Sequence, residues 1–232
     1  MAGETIKTEA ICVDIRPWSR TSHVVTWLTP TGKVSTVVKG AVRPKSQFLG
    51  QYDLNYTCEI LYYARGKRGV HALRECSPLE MREVLRGDFR SLALAGYCRR
   101  LACELAPVGS ECRDWYGLLG RSLTVPLGGY VRHLVNFELE VLRLSGLKPD
   151  FSRYDPDADW SAFAVESGAF VSETDERQVR ISRDVAEFLA NPWMKPKNSE
   201  IPLDAARVIG VFYQFHVDCV LDVRRSVLKL IS

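Results

Sequence analysis

The sequence has little that points to catalysis, to a membrane or to a disulfide framework. Its 232 residues include only four histidines and three methionines. The seven cysteines are an odd number, and no two form a C-x-x-C pair, the spacing of structural zinc sites and redox motifs. Scattered reduced thiols of a cytoplasmic protein suit this pattern better than disulfides do. No run approaches the roughly 20 apolar residues of a membrane span. The opening, MAGETIKTEA, lacks the apolar stretch of a signal peptide. There is no G-x-x-x-x-G-K-[ST] phosphate loop and no G-x-S-x-G nucleophile elbow. Gly128 and Gly129 alone make no phosphate cradle. The reading therefore turns away from enzymes and cofactors and toward binding.

A hydrophobic content of 46% with 25% charged residues is enough for a sizeable core in one or two domains. The net charge of +3 conceals an uneven distribution. Residues 1–78 carry 11 basic and 6 acidic side chains, a net of +5; residues 151–182 carry 3 and 7, a net of −4. A basic excess confined to one third of a chain suits a polyanionic partner.

That first third reads as a series of strands. Lys7–Ile15 alternates polar and apolar residues, His23–Leu28 and Val34–Lys39 follow, then Leu54–Tyr63 and Val70–Glu75. Turns separate them at Trp18–Ser22, Thr29–Lys33 and Arg65–Gly69. Five short strands in fewer than 80 residues suggest a small barrel. The cations fall at its turns: Arg16, Arg20, Lys33, Lys39, Arg43, Lys45, Arg65, Lys67 and Arg68. The run Lys39-Gly-Ala-Val-Arg-Pro-Lys45 is the densest, with no acid beside it. Aromatic residues interleave: Trp18, Trp27, Phe48, Tyr52, Tyr56, Tyr62 and Tyr63. Cations that track phosphates and rings that stack on bases make a single-strand groove. The same rings can equally fill a barrel core, as most strand aromatics do.

Helical spacing begins after Pro78, a residue suited to a helix start, and runs over 79–105, 112–122 and 130–144. Gly146 is the expected C-cap of the third helix. Arg99 and Arg100 read as a solvated helix face. Cys98, Cys103 and Cys112 lack metal-ligand spacing and read as small buried apolar residues. Beyond an acidic stretch, Ser182 reads as an N-cap before a helix at 185–190. A longer apolar periodicity runs over 203–230, suited to packing on the helix at 130–144. Asp155, Asp157 and Asp159 alternate, but the glycine and glutamate of a calcium loop are absent.

Several runs together resemble the bacterial RecO family. They are Thr8-Glu-Ala-Ile-x-Val13, Thr26-Trp-Leu-Thr-Pro-Thr-Gly-Lys33, Val37-Val-Lys-Gly-Ala-x-Arg-Pro-Lys-Ser46, Glu75-Cys-Ser-Pro-Leu-Glu80 and Leu142-Arg-Leu-Ser-Gly-Leu-Lys-Pro-Asp150. The resemblance implies an α+β chain. Residues 1–78 would form a five-stranded OB-fold barrel that binds nucleic acid, and residues 79–232 a helical domain. Lys39, Arg43 and Lys45 would lie where the family binds DNA, and Arg224 and Arg225 would occupy the place of a basic pair common in the family, which could extend this surface or simply favour the helix C-terminus. RecO proteins commonly carry a four-cysteine zinc module where residues 151–182 stand. Here all four cysteines are missing, so a metal-free hairpin held by phenylalanine and tryptophan packing is expected. The implied role is that of a recombination mediator in DNA repair. It would bind single- and double-stranded DNA, anneal complementary strands and act with RecR to load RecA onto DNA coated by single-strand-binding protein (SSB). The SSB C-terminal tail would contact the helical domain, with Arg132 as the candidate residue. A generic OB-fold RNA-binding module and a protein-interaction scaffold are the alternatives.

Overall fold

The computed structural model describes residues 4–64, 69–108, 111–126, 129–172, 178–217 and 219–232. The chain forms two compact units, Met1–Val125 and Pro126–Ser232.

The first unit opens with β1 (Thr5–Ser19), β2 (Ser22–Thr29), β3 (Gly32–Val38), β4 (Thr57–Tyr63) and β5 (Val70–Glu80). They close into a barrel in the order β1-β2-β3-β5-β4. β3 and β5 run parallel and the other neighbours antiparallel. This is the five-stranded OB-fold barrel that the family resemblance implies, and its closure leaves no free sheet edge. β1 is long enough to serve two partners. Thr5–Ile11 pairs with β4, and Ile11–Ser19 with β2. Alternate strand residues fill the interior: Ala10, Cys12, Val25, Trp27, Val38, Cys58 and Ile60. Trp27 is the largest of them, and its indole N–H donates to Thr36 Oγ1 at 2.9 Å. The ring is thus buried without an unpaired polar atom.

Pro78 does not start a helix. It sits inside β5 opposite Cys58, near an irregularity in the ladder between Thr57 and Cys58. A proline cannot donate to the ladder and is tolerated at such places. After a 3-10 turn at Glu83–Gly87, α1 (Phe89–Leu105) begins instead at Asp88. The Asp88 carboxylate accepts from the backbone N–H groups of Arg90 and Ser91 and caps the helix. Helix α2 (Arg113–Ser122) follows.

Both helices belong to the barrel's unit. Ile11, Val13 and Leu28 stand outside the interior cluster and are buried all the same. The change of periodicity at residue 79 and the division between compact units at 125 are therefore different boundaries.

Two arginines fasten the helices to the barrel. The β1–β2 register skips Val13, a bulge that leaves its carbonyl outside the ladder. Arg99 donates to that carbonyl. It is partly buried rather than part of a solvated face, and burial pushes its pKa down. The second, Arg82, is buried and reaches five oxygen-bearing partners. Its guanidinium donates to the carbonyls of Asn55 (3.0 Å), Leu123 (3.0 Å) and Gly120 (3.3 Å), to Thr57 Oγ1 (2.9 Å) and to the Glu80 carboxylate (3.0 Å).

The second unit holds α3 (Tyr130–Leu144), β6 (Trp160–Ala164), β7 (Ala169–Val171), β8 (Gln178–Ser182), α4 (Arg183–Ala190), α5 (Glu200–His216) and α6 (Leu221–Ile231). Helix α3 has the bounds its periodicity predicts. The Gly146 N–H donates to the Arg143 carbonyl and the Leu147 N–H to the Leu142 carbonyl, which closes the helix in a Schellman motif.

The periodicity over 203–230 is not one helix. Its apolar spacing continues across a break at 217–220, where Val220 has φ +53°. The break lets α6 fold back. In a straight helix residues 206 and 224 would lie about 27 Å apart, yet Arg224 Nη2 donates to the Ala206 carbonyl at 2.7 Å. Arg224 also grips Glu138 of α3 through two hydrogen bonds of 2.7 and 2.8 Å, and Glu138 is fully buried. Arg224 is only 5% exposed. The expectation that it extends a DNA surface is corrected: its charge is spent inside. The close approach also explains Gly210, where an added Cβ would stand 2.5 Å from Arg224 Nη1.

Strands β6, β7 and β8 form an antiparallel sheet with β6 in the centre. Phe151, Phe163 and Phe170 pack together beside it. The rings of Phe151 and Phe163 stack at 4.9 Å, and Phe170 meets Phe163 edge-on at 5.5 Å. The Arg180 guanidinium lies 4.0 Å over the Trp160 ring. Residues 151–182 contain neither cysteine nor histidine. The soft donors of a zinc module are absent, and the donor set does not fit that metal.

Two outcomes follow for the second unit. Arg224→Ala removes both hydrogen bonds of the guanidinium to the buried Glu138 carboxylate and costs about 3–5 kcal/mol in denaturant unfolding, and Gly210→Ala reproduces part of that loss by pushing the guanidinium aside. Phe163→Ala costs about 3–5 kcal/mol, while a strong zinc chelator leaves the melting temperature of the unaltered protein where it was.

Candidate nucleic-acid interface

The cation-rich run after β3 is shaped by what anchors it. Ala41 and Phe48 are buried in the barrel core. The six residues between them are held off the core as a chain of tight turns. The Arg43 N–H donates to the Gly40 carbonyl at 3.1 Å, Ser46 to Arg43 at 2.9 Å and Leu49 to Ser46 at 3.2 Å. Gly40 has φ +67°, a conformation that L side chains rarely adopt, and the Arg43 side chain folds back over it at 3.3 Å from where a Cβ would stand. Lys39, Arg43 and Lys45 are exposed. Among the described residues none of the three has an acidic partner.

The β1–β2 turn is brought to the same place. His23 pairs with Val38 across the β2–β3 ladder, so the start of β2 lies beside the end of β3. The Gly40 N–H donates to Ser22 Oγ at 3.2 Å, and the Val42 N–H donates to the Thr21 carbonyl at 3.4 Å. Arg16 and Arg20 are exposed on this hairpin. Arg16 is held by Asp14 at 2.6 Å, an open surface pair that contributes little. The structure thus gathers Arg16, Arg20, Lys39, Arg43 and Lys45 at one end of the barrel.

The remaining predicted residues go elsewhere. Lys33 opens β3, roughly 20 Å along the strand from Lys39. Its ammonium donates to the Cys103 carbonyl at 2.7 Å, near the C-terminus of α1. It satisfies a carbonyl that the helix leaves without a partner. Arg65, Lys67 and Arg68 lie outside the described residues. Arg225 is exposed in the second unit and paired with Asp222 at 3.4 Å. Arg132 donates to the Pro192 carbonyl at 3.2 Å and to that of Trp193, so it ties α3 to the loop after α4.

The aromatic residues also divide. Trp27, Phe48, Tyr56 and Tyr62 are buried. Tyr52 shares a 2.8 Å hydrogen bond with His23 Nδ1 behind the basic end, and burial raises the pKa of its phenol. Tyr62 stacks on His71 at 5.3 Å, and burial lowers the pKa of that imidazole. Tyr63 is exposed but lies under the Arg74 guanidinium, 5.5 Å from its ring centre. Trp18 is 63% exposed, on the hairpin that carries Arg16 and Arg20. The sequence reading names it among seven interleaved aromatics but does not single it out, because nothing in the alternation of β1 distinguishes an outward ring from an inward one.

The geometry separates two lysines that look alike in sequence. Lys33→Ala costs about 1 kcal/mol of stability and leaves nucleic-acid affinity unchanged. Lys39→Ala leaves the melting temperature unchanged and weakens binding. Thermal unfolding beside an oligonucleotide titration measures both.

Residues 1–82 match the family model described as Recombination protein O N terminal. The chain is 30% identical over 149 residues to a DNA repair protein RecO of Alkaliphilus metalliredigens (strain QYMF), covering 62% of this chain and 59% of that protein. It is 29% identical over 151 residues to a DNA repair protein RecO of Roseiflexus sp. (strain RS-1), covering 64% and 53%. The chain thus spans a little over half the length of each relative. No described helix is long and apolar enough to cross a membrane. A closed five-stranded barrel stands over the residues that the family model matches, and in that part the chain is similar to the RecO family.

Proposed function

We propose that this protein is a non-enzymatic DNA-binding mediator of recombinational repair that engages DNA through the barrel end bearing Lys39, Arg43 and Lys45. One observation carries the reading. Three exposed cations, without acidic partners among the described residues, stand on and just before a loop whose flanking residues, Ala41 and Phe48, are fixed in the core. Such charges can pair with phosphate without first breaking an internal ion pair. The two relatives, both called DNA repair protein RecO, support placing this binding in repair. In the finer form of the proposal the protein binds single and double strands and anneals complementary ones. It then acts with RecR to load RecA on strands coated by SSB, whose tail docks on the helical unit.

The test is affinity for a short oligonucleotide against salt. The logarithm of the binding constant falls linearly with the logarithm of salt concentration, with a slope of about −0.7 per phosphate neutralised on a single strand. Replacing Lys39, Arg43 and Lys45 together by alanine shallows the slope by about 2 and leaves the melting temperature unchanged. An unaltered slope moves the site elsewhere, and a flat response of the unmodified protein removes the DNA reading. Annealing of complementary strands coated with SSB separates a repair mediator from a generic RNA binder, which gives no acceleration.

A further inference from the structure

We infer that Trp18 is a base-stacking platform and that the basic end of the barrel is therefore built for an unpaired strand, with bases turned toward the protein. The inference rests on the nucleic-acid reading above and names its ligand more closely.

Trp18 is placed by the backbone, not left over by packing. In the β1–β2 ladder Pro17 faces His23 and Ser19 faces Ser22, so Trp18 is the additional residue of a bulge with no cross-strand partner. A bulge bends its strand and re-aims a side chain out of the regular alternation. The re-aimed ring is 63% exposed, whereas Trp27 on the neighbouring strand is fully buried. Among the described residues no ring or cation contact engages the indole.

The surroundings supply the rest of a single-strand site. Arg16 and Arg20 lie two residues to either side of Trp18 in sequence, and both are exposed. The Thr21 carbonyl at the end of this turn accepts from Val42, which stands beside Arg43. An exposed apolar face thus lies on a hairpin with two cations, joined by backbone hydrogen bonding to the loop that carries Arg43. Phosphates bind the cations, and a base freed from its complement covers the indole. A duplex keeps its bases stacked on one another and offers the ring no base face.

The test compares two probes of equal length and charge, an oligothymidylate and an oligomer of abasic sites, titrated with the full chain at fixed salt. The unmodified protein prefers the thymidylate. Trp18→Ala lowers thymidylate affinity about tenfold, the effect of losing one stacked base. It leaves the abasic affinity and the salt slope unchanged. Trp18→Phe, which keeps an aromatic face, recovers most of the loss. The melting temperature of each variant confirms that an exposed ring has been removed without unfolding. Equal binding of both probes by the unmodified protein overturns the stacking role and leaves the DNA reading in place. So does an equal loss on both probes, or no loss, in Trp18→Ala. Failure of the unmodified protein to bind either probe overturns both readings.

Discussion

The guanidinium of Arg82 is the point where barrel and helices become one body. It sits where β5 ends and donates to Asn55 and Thr57 at the start of β4, to Glu80 in its own strand, and to Gly120 and Leu123 at the end of α2. A planar group with five donors in a fixed fork can hold so many oxygens at once; an ammonium cannot. The two carbonyls at the end of α2 carry the negative end of the helix dipole, which suits a buried cation. The arrangement needs unusual backbone at both contributors. Arg82 has φ +54° and Asn55 φ +71°. With β4 and β5 pinned to α2, β1 and β2 acquire a covered outer side, and the opposite end of the barrel stays open to solvent.

Arginine does two opposed jobs in this chain, and its sequence context does not separate them. Arg82, Arg99, Arg132 and Arg224 donate to backbone carbonyls or buried carboxylates and hold elements together. Arg43, with Lys39 and Lys45, faces water with no acidic partner among the described residues. A basic excess counted along the chain sums both kinds. The excess in the first third is partly consumed inside by Lys33 and by the exposed pairs of Lys7 with Glu59 and Arg16 with Asp14. Among the described residues, Arg20, Lys39, Arg43 and Lys45 lie together at one end of the barrel, and their position depends on which strands are neighbours.

The sequence was legible where a local rule and the tertiary structure agree. Alternation located all five barrel strands, and α3 follows from its apolar period and from Gly146. It was not legible where packing overrides the local rule. Pro78 looks like a helix start, but the register of β5 against β4 carries it two residues further as strand. Apolar spacing over 203–230 runs on unbroken, because both halves bury their faces. The separation of α5 from α6 goes with the grip of Arg224 on Glu138, residues 86 apart in sequence. Of the proposed site, the loop after β3 could be read directly from its composition. Its junction with the β1–β2 turn could not, since it rests on the hydrogen bonds of Gly40 and Val42 to Ser22 and Thr21.

The loop and the insert reach local order by related means. A segment too short to have a core of its own must borrow order from something it encloses or adjoins. A zinc ion would supply that through strong bonds to four thiolates. Residues 151–182 use apolar contact instead, with Phe151 and Phe163 stacked and Phe170 closing the edge. The bridge of Asp150 to Ala169 fixes where the segment enters the sheet. The loop after β3 does the same with two side chains, Ala41 and Phe48, which it inserts into the barrel. In both places the burial of a few apolar groups fixes the backbone and frees the polar residues between them from any structural duty. For the loop, that freedom is what leaves Arg43 and Lys45, beside Lys39, available to a ligand.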